Sequence, residues 1–183
     1  MTPSDELTPL IYLAATQEEI LAIQKFRYSV YADEMNLEVP GIDHAEHTMG
    51  DPLDSSGLHI YATLHGAIAG VVRLNPGQAP AGLEIPLEIG RLPKPFCYCS
   101  RFCIQKRYRG TAVSKALVKA SFAEFRDNNA AVAICHCYPH LAPFYRRLGF
   151  QPYASPFYFP GLEYLGYQIP LRCMLVKKAL RAA

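Results

Sequence analysis

With 183 residues the chain has the length of one domain and enough of it to bury a core. Half of its residues are hydrophobic and 19% are charged, which excludes a disordered chain. A formal charge of +2 with no Lys/Arg run excludes an electrostatic nucleic-acid surface.

The N-terminus carries Asp5 and Glu6, and no apolar stretch follows them. No apolar run approaches the ~20 residues of a membrane span. The expectation is a cytoplasmic protein, one domain over 1–183, with 1–15 a loose lead-in. Six cysteines, Cys97, Cys99, Cys103, Cys135, Cys137 and Cys173, ask for a role. Without an export signal a disulfide framework is not expected. Cys97-x-Cys99 and Cys135-His136-Cys137 offer soft metal ligands, but they sit in strand-like runs and lack Cys-x-x-Cys spacing. Buried core thiols and no metal are expected.

Along the chain, Thr16-x-x-Glu19 reads as a capping box opening a helix. Ile20, Ile23, Arg27, Val30 and Tyr31 follow near one face at three- and four-residue spacing. Two readings of Arg27 stand: a guanidinium snorkelling at the core edge beside a structural carboxylate, or a charge aimed into a site. Residues 35–57 form a long polar loop of the kind that carries function or moves. Leu58–Leu64 and Ile68–Leu74 predict a hairpin around His65-Gly66. Proline and glycine break 75–87, and Phe96–Ile104 alternates as a strand. A basic loop, Lys106 to Gly110, then leads through Thr111 into a helix carrying Val113, Ala116, Leu117, Ala120 and Phe125, ended by Asn128-Asn129. Ala131–Cys137 is an apolar strand, Pro143–Leu148 a short helix stopped by Gly149, and Phe150–Tyr153 and Tyr167–Val176 closing strands, with Pro170 forcing a bulge or edge. This order predicts an α/β (α+β) sheet covered by helices.

A strand feeding a basic turn and a helix is an anion site, because free N–H groups and the positive helix dipole converge at the helix start. Arg107 and Arg109 add mobile positive charge, so the ligand class is phosphate or pyrophosphate. Phe144-Tyr145-Arg146-Arg147-Leu148-Gly149-Phe150 follows on the next helix. Together with Arg109-Gly110-Thr111-Ala112-Val113-Ser114-Lys115-Ala116-Leu117, it resembles the GNAT superfamily of N-acyltransferases. The resemblance implies a mixed, mostly antiparallel central sheet flanked by helices and a direct transfer from a thioester to an amine. It implies that Arg107, Arg109, Gly110, Thr111, Ala112, Val113 and Ser114 cradle the donor's phosphates. The backbone of Phe102, Cys103 and Ile104 would hold the pantetheine arm, and Tyr145 would protonate the leaving thiolate. Ala112 stands where the family favours Gly, and Ser114 where it favours Gly or Ala, which weakens the pyrophosphate grip and suits the single phosphate of an acyl carrier protein. Acyl-CoA or acyl-phosphopantetheine is the implied co-substrate.

Phe26-Arg27-Tyr28-Ser29-Val30-Tyr31-Ala32-Asp33-Glu34-Met35, with Asp43, Gly70–Pro76 and Ser100-Arg101-Phe102, is similar to the acyl-homoserine-lactone synthases and N-acyl amino acid synthases. By that similarity Arg27, Arg73 and Arg101 line or brace the acceptor side and Asp43 pairs one of them. Tyr98 occupies the place of a Glu tied to acceptor chemistry in the lactone family, which favours acylation of an amino acid or other small amine over lactone synthesis. For the base, His136, Glu88 and a water chain stay open, although a lone His between two Cys on an apolar strand is more often a satisfied core residue. Two other classes remain: an inactive module binding an acyl carrier or metabolite, and a protein or peptide N-acetyltransferase. Oligomeric state stays open.

Overall fold

A computed structural model of the chain describes residues 8–81, 87–164 and 167–177, with side chains described outside 159–169. Within the expected lead-in, Leu10–Leu13 forms an edge strand, β1, with all four side chains exposed. No alternation of burial marks it in sequence; it exists because β4 offers it a ladder. Helix α1, Gln17–Tyr28, begins at the predicted box. The Glu19 N–H donates to Thr16 Oγ1 at 3.2 Å, and the Thr16 N–H donates back to Glu19 Oε2 at 2.9 Å. The helix continues into a wider π turn, Ser29–Glu34.

The polar stretch is ordered by its own bonds. It holds a small hairpin, β2 (Ile42–Asp43) and β3 (Thr48–Met49), and a 3-10 turn over Pro52–Ser55 whose N-cap is Asp51. The predicted hairpin follows as β4, Leu58–Leu64, and β5, Ala67–Pro76. Strand β6 spans Phe96–Ile104, helix α2 Ala112–Asp127, β7 Val132–Cys137 and helix α3 Ala142–Arg147. The chain closes with β8 (Gln151–Pro152), β9 (Phe157–Tyr164) and β10 (Tyr167–Lys177). Strand β9 is an addition to the sequence reading. Pro170 does shift the register between β9 and β10, since it has no N–H for the ladder.

The sheet runs β1-β4-β5-β6-β7-β10-β8, with β9 on β10. Every pairing is antiparallel except β6 with β7, which α2 joins as a crossover. Alternate residues serve the two faces. Val72 and Ile104 join Val113, Leu117 and Phe125 of α2 in one cluster, while Val71 and Cys103 join Ile23 and Phe26 of α1 and Val30 of the π turn on the other side. All six cysteines are free and buried. Burial pushes the Cys103 thiol up to about 12 and the Cys137 thiol up to about 11. Among the described residues no group of three His, Cys, Asp or Glu is placed to hold a metal, and no helix is long and apolar enough to cross a membrane.

Candidate active site

Strands β6 and β7 pair only as far as Cys99 and Cys135, although β6 runs on to Ile104 and β7 to Cys137. The cause lies in β6. Arg73 pairs Ser100 while Val71 pairs Cys103, so β6 carries one extra residue there. Arg101 sits in this bulge at φ +55. A bulge bends and twists its strand, which turns β6 away from β7. The parted strands leave the β7-facing edge of β6 beyond Cys99 without a neighbouring strand, across the backbone of Phe102, Cys103 and Ile104.

Tyr145 enters from α3. Its ring meets Phe144 at 5.3 Å and Phe150 at 5.6 Å, both edge-on, and it packs against the cluster holding Cys99, Cys135 and Cys137. Burial pushes its phenol well above the ordinary value, so it keeps its proton at neutral pH. His136 points the other way from its strand neighbours Cys135 and Cys137 and lies on the opposite face, with Tyr98. Its Nδ1 shares a hydrogen bond with the Tyr98 hydroxyl at 2.9 Å, and the two rings stack at 5.8 Å. Burial, helped by the Arg101 cation, pulls the imidazole down to about 4. Tyr145 and His136 therefore flank the parting from its two faces. Glu88 is turned to Arg91, with Arg91 Nη1 donating to Glu88 Oε2 at 3.2 Å.

The basic turn precedes α2. Lys106–Tyr108 makes one 3-10 turn, and Thr111 is the N-cap, its Oγ1 accepting from the Val113 N–H at 3.3 Å. The Val113 side chain is core, while Ala112 lies exposed and Ser114 half-buried. Arg109 is not the mobile charge expected of it. Its Nε donates to the Ile104 carbonyl at 2.9 Å, and its Nη2 meets Glu34 Oε2 at 3.1 Å. Glu34 also accepts the Lys106 N–H, at 3.0 Å to Oε2, so the π turn after α1 is tied to this loop. Arg107 stays exposed, its guanidinium 4.7 Å over the Tyr108 ring. Gly110, at φ +78, has open space where a Cβ would stand.

Beside the parting lies a buried charge cluster. Arg27 is fully buried and Arg73 nearly so. Asp54 Oδ1 accepts from Arg27 Nη1 at 2.7 Å and from Arg73 Nη1 at 2.5 Å. Asp51 Oδ1 accepts from Arg73 Nη1 at 2.6 Å, and its Oδ2 from Arg101 Nη2 at 2.6 Å and Nε at 3.1 Å. Gly57 makes room for the Arg73 stem: a Cβ there would stand 2.8 Å from Arg73 Cγ. Burial would raise both carboxyls, but the guanidinium partners outweigh it and hold Asp51 and Asp54 below the ordinary value. His59 completes the set. Its Nδ1 faces Arg27 Nη2 at 3.0 Å and so acts as acceptor, which leaves Nε2 to donate to the Asp54 carbonyl at 2.9 Å. Burial lowers its pKa, in keeping with that neutral form.

Arg27, Arg73 and Arg101 therefore gather around Asp51 and Asp54, and Arg27 resolves as a buried, paired cation. Asp43 does not join them. Its exposed carboxylate accepts the N–H groups of Ala45 and Glu46 and caps the β2–β3 turn, at 2.9 and 3.0 Å. The carboxylates that meet the arginines are Asp51 and Asp54, which the sequence reading passed over. Asp51-Pro52-Leu53-Asp54 did carry a signal, an N-cap Asp with Pro at the first helical position and an acid at the third.

An acetyltransferase (GNAT) domain model matches residues 32–171, which includes the parting, the basic turn, α2 and α3. The chain belongs to the GNAT family. By that membership it is an acyltransferase. No curated protein matches it in sequence. Among solved structures, this GNAT chain is similar to FeeM, an N-acyl amino acid synthase from uncultured soil microbes, with TM-score 0.71 at 12% identity over 94% of this chain and 93% of that one. It is similar to BjaI, a CoA-dependent acyl-homoserine lactone synthase seen with SAM and isopentyl-CoA, with TM-score 0.72 at 15% identity over 92% and 83%. It is also similar to ElaA of Escherichia coli, with TM-score 0.64 at 17% identity over 93% and 100%. At these identities the likeness is one of fold.

Proposed function

We propose that this GNAT protein moves an acyl group from an acyl-CoA or acyl-carrier-protein thioester to the primary amine of a small acceptor, an amino acid or related compound. The observation that carries the reading is the parting of β6 from β7 with the protonated Tyr145 phenol beside it. The open β6 edge at Phe102–Ile104 suits the amides of a pantetheine arm. The N-terminus of α2, with Gly110, Thr111, Ala112 and the N–H of Ser114, suits its phosphate end, with the exposed Arg107 as the nearby cation. The amine nitrogen attacks the thioester carbonyl, N–H donors on β6 stabilise the oxyanion, the C–S bond breaks, and Tyr145 gives its proton to the thiolate. The amine's proton passes to His136 or through it to water. With its pKa near 4, His136 is a weak base, so the amine must arrive neutral and turnover climbs with pH through the amine's own pKa.

The test begins with thermal unfolding in the presence of CoA, acetyl-CoA, long-chain acyl-CoA and an acyl carrier protein. A donor at about 100 times its dissociation constant adds roughly 2.7 kcal/mol to the native state. Thiol release with a panel of amines follows. Tyr145→Phe keeps the ring packing and removes the proton, so it should lower turnover by about 10²-fold while donor affinity stays nearly intact. Unchanged turnover in that variant would end the acid role. Donor binding without thiol release across the panel would favour a binding module.

A further inference from the structure

Strand β1 ends the sheet, and among the described residues no strand lies on its outer side. Leu10, Ile11, Tyr12 and Leu13 are 58%, 36%, 42% and 47% exposed, four apolar residues in a row with no charge, proline or bulge among them. Such features ordinarily guard an edge strand, because its free N–H and C=O groups offer a template to another strand. At the other end of the path β8 is guarded, being two residues long and holding Pro152.

The register says which groups are free. The Ala14 N–H donates to the His59 carbonyl at 2.8 Å and continues the pairing of Tyr12 with Tyr61 and Leu10 with Thr63. Hydrogen-bonded positions alternate in an antiparallel ladder, so the main-chain groups of Leu10 and Tyr12 turn to β4 and those of Ile11 and Leu13 to the open edge. Side chains alternate as well. Tyr12 stacks on Tyr61 at 5.2 Å, and the Tyr61 hydroxyl donates to Glu19 Oε1 of α1 at 2.7 Å, which sets this pair on the α1 face. Ile11 and Leu13 stand opposite Ala62 and Ile60, which belong to the cluster under α2. A strand that fits this edge is neutral and apolar on both faces, and a second β1 is such a strand. With a twofold axis at Tyr12, Ile11 of each copy stands opposite Leu13 of the other, so all the outward N–H and C=O groups of both copies pair. Tyr12 meets its twin there and carries the Tyr61–Tyr12 stack through both molecules. Sliding the register two residues toward the N-terminus would set Leu13 against Pro9 of the twin, which has no N–H. At about 200 Å² for a whole large residue, the four fractions amount to about 400 Å² per copy. Two copies therefore cover about 800 Å² before the exposed Thr8 and Ala15 beside them are added, and a specific interface begins near about 1,000 Å².

We infer that β1 is an interface at which a second copy of this chain joins edge to edge, in register about Tyr12, so that one sheet runs through both molecules. The pairing is isologous and uses both β1 edges, so the assembly closes at two. Strands β4 and β5 stand between β1 and β6, which leaves the parting and Tyr145 clear of the interface.

Sedimentation velocity over about 1–100 μM tests this on the full chain. Wild type is expected as a concentration-dependent dimer. Ile11→Lys sets an ammonium group against Leu13 of the twin and should weaken the dimer at least about tenfold. Ile11→Lys combined with Leu13→Glu sets opposite charges face to face twice across the twofold and should recover at least about threefold of that loss. Ile11→Lys combined with Leu13→Lys should stay monomeric. Far-UV circular dichroism and thermal melting check that each variant folds. A cross-link reads the register independently: the native cysteines are all buried, so Tyr12→Cys should form a disulfide-linked dimer in air, and Leu10→Cys, opposite Ala14 of the twin, should not. A wild type that is monomeric at about 100 μM overturns the interface. A dimer that survives Ile11→Lys, a double variant with Leu13→Glu no tighter than Ile11→Lys alone, or a Tyr12→Cys chain that links no faster than Leu10→Cys overturns it as well.

Discussion

Replacing Asp54 by Asn tests the charge cluster most directly. The change keeps volume and removes one charge. Asp54 Oδ1 receives two guanidinium N–H groups, and its Oδ2 receives Gln24 Nε2 at 3.0 Å and the Asp51 N–H at 3.2 Å. An asparagine amide has one oxygen, so either orientation turns an NH₂ toward donors. The excess of the three guanidiniums over the two carboxylates also rises from one positive charge to two, next to the fully buried Arg27. Removing one partner from a buried ion pair costs about 3–5 kcal/mol, against a typical total of about 5–15 kcal/mol. The chain has no tryptophan, so urea unfolding near pH 7.5 is followed by far-UV circular dichroism. The expected midpoint falls sharply with the slope unchanged. Arg101→Gln added to Asp54→Asn returns the excess to one charge, so the double variant should lose less than the two single losses combined. A loss below about 1 kcal/mol for Asp54→Asn, or strict additivity with Arg101→Gln, would refute the reasoning.

Stability should fall on acidification in two stages. His59 and His136 titrate lower when folded than unfolded because burial disfavours the imidazolium, and Asp51 and Asp54 titrate lower because guanidinium pairing outweighs burial. All four bind fewer protons folded than unfolded, so stability rises with pH. The histidine share is full above about 6.5 and is lost as pH falls toward the folded value, about 4 for His136. The carboxylate share is lost only below about 4. Melting curves at pH 7.5, 5.5 and 4 should descend in step, and a flat profile down to pH 4.5 would contradict this. Gly70→Ala places a Cβ 2.9 Å from Leu117 Cδ1, 3.0 Å from Ile104 Cγ1 and 3.2 Å from the Cys103 carbonyl oxygen. Pushing α2 off the sheet should cost about 1–3 kcal/mol. A melting point lowered by less than about 2 °C would show that α2 yields freely.

Where a feature depends on near neighbours, the sequence by itself determined it. The Thr16–Glu19 box, the His65-Gly66 hairpin, the basic turn into α2 and the register shift at Pro170 arise from backbone and side-chain bonding within a few residues. The short helix that carries Tyr145 was legible for the same reason, since Gly149 marks its end, while Tyr145 itself was singled out by the family resemblance. The charge cluster was not. Asp54 meets Arg27 across 27 positions and Arg73 across 19, and Asp51 meets Arg101 across 50. Asp43 and Asp51 are both acids in one polar loop, and only the folded path of that loop brings Asp51 to the arginines and leaves Asp43 capping a turn. Strand β1 likewise exists only where β4 lies open beside it. The pinning of Arg109 by Glu34 joins residues 75 positions apart. Backbone propensity and capping are local forces readable in order along the chain, whereas ion pairing and ladder formation depend on which distant groups packing brings within about 3 Å.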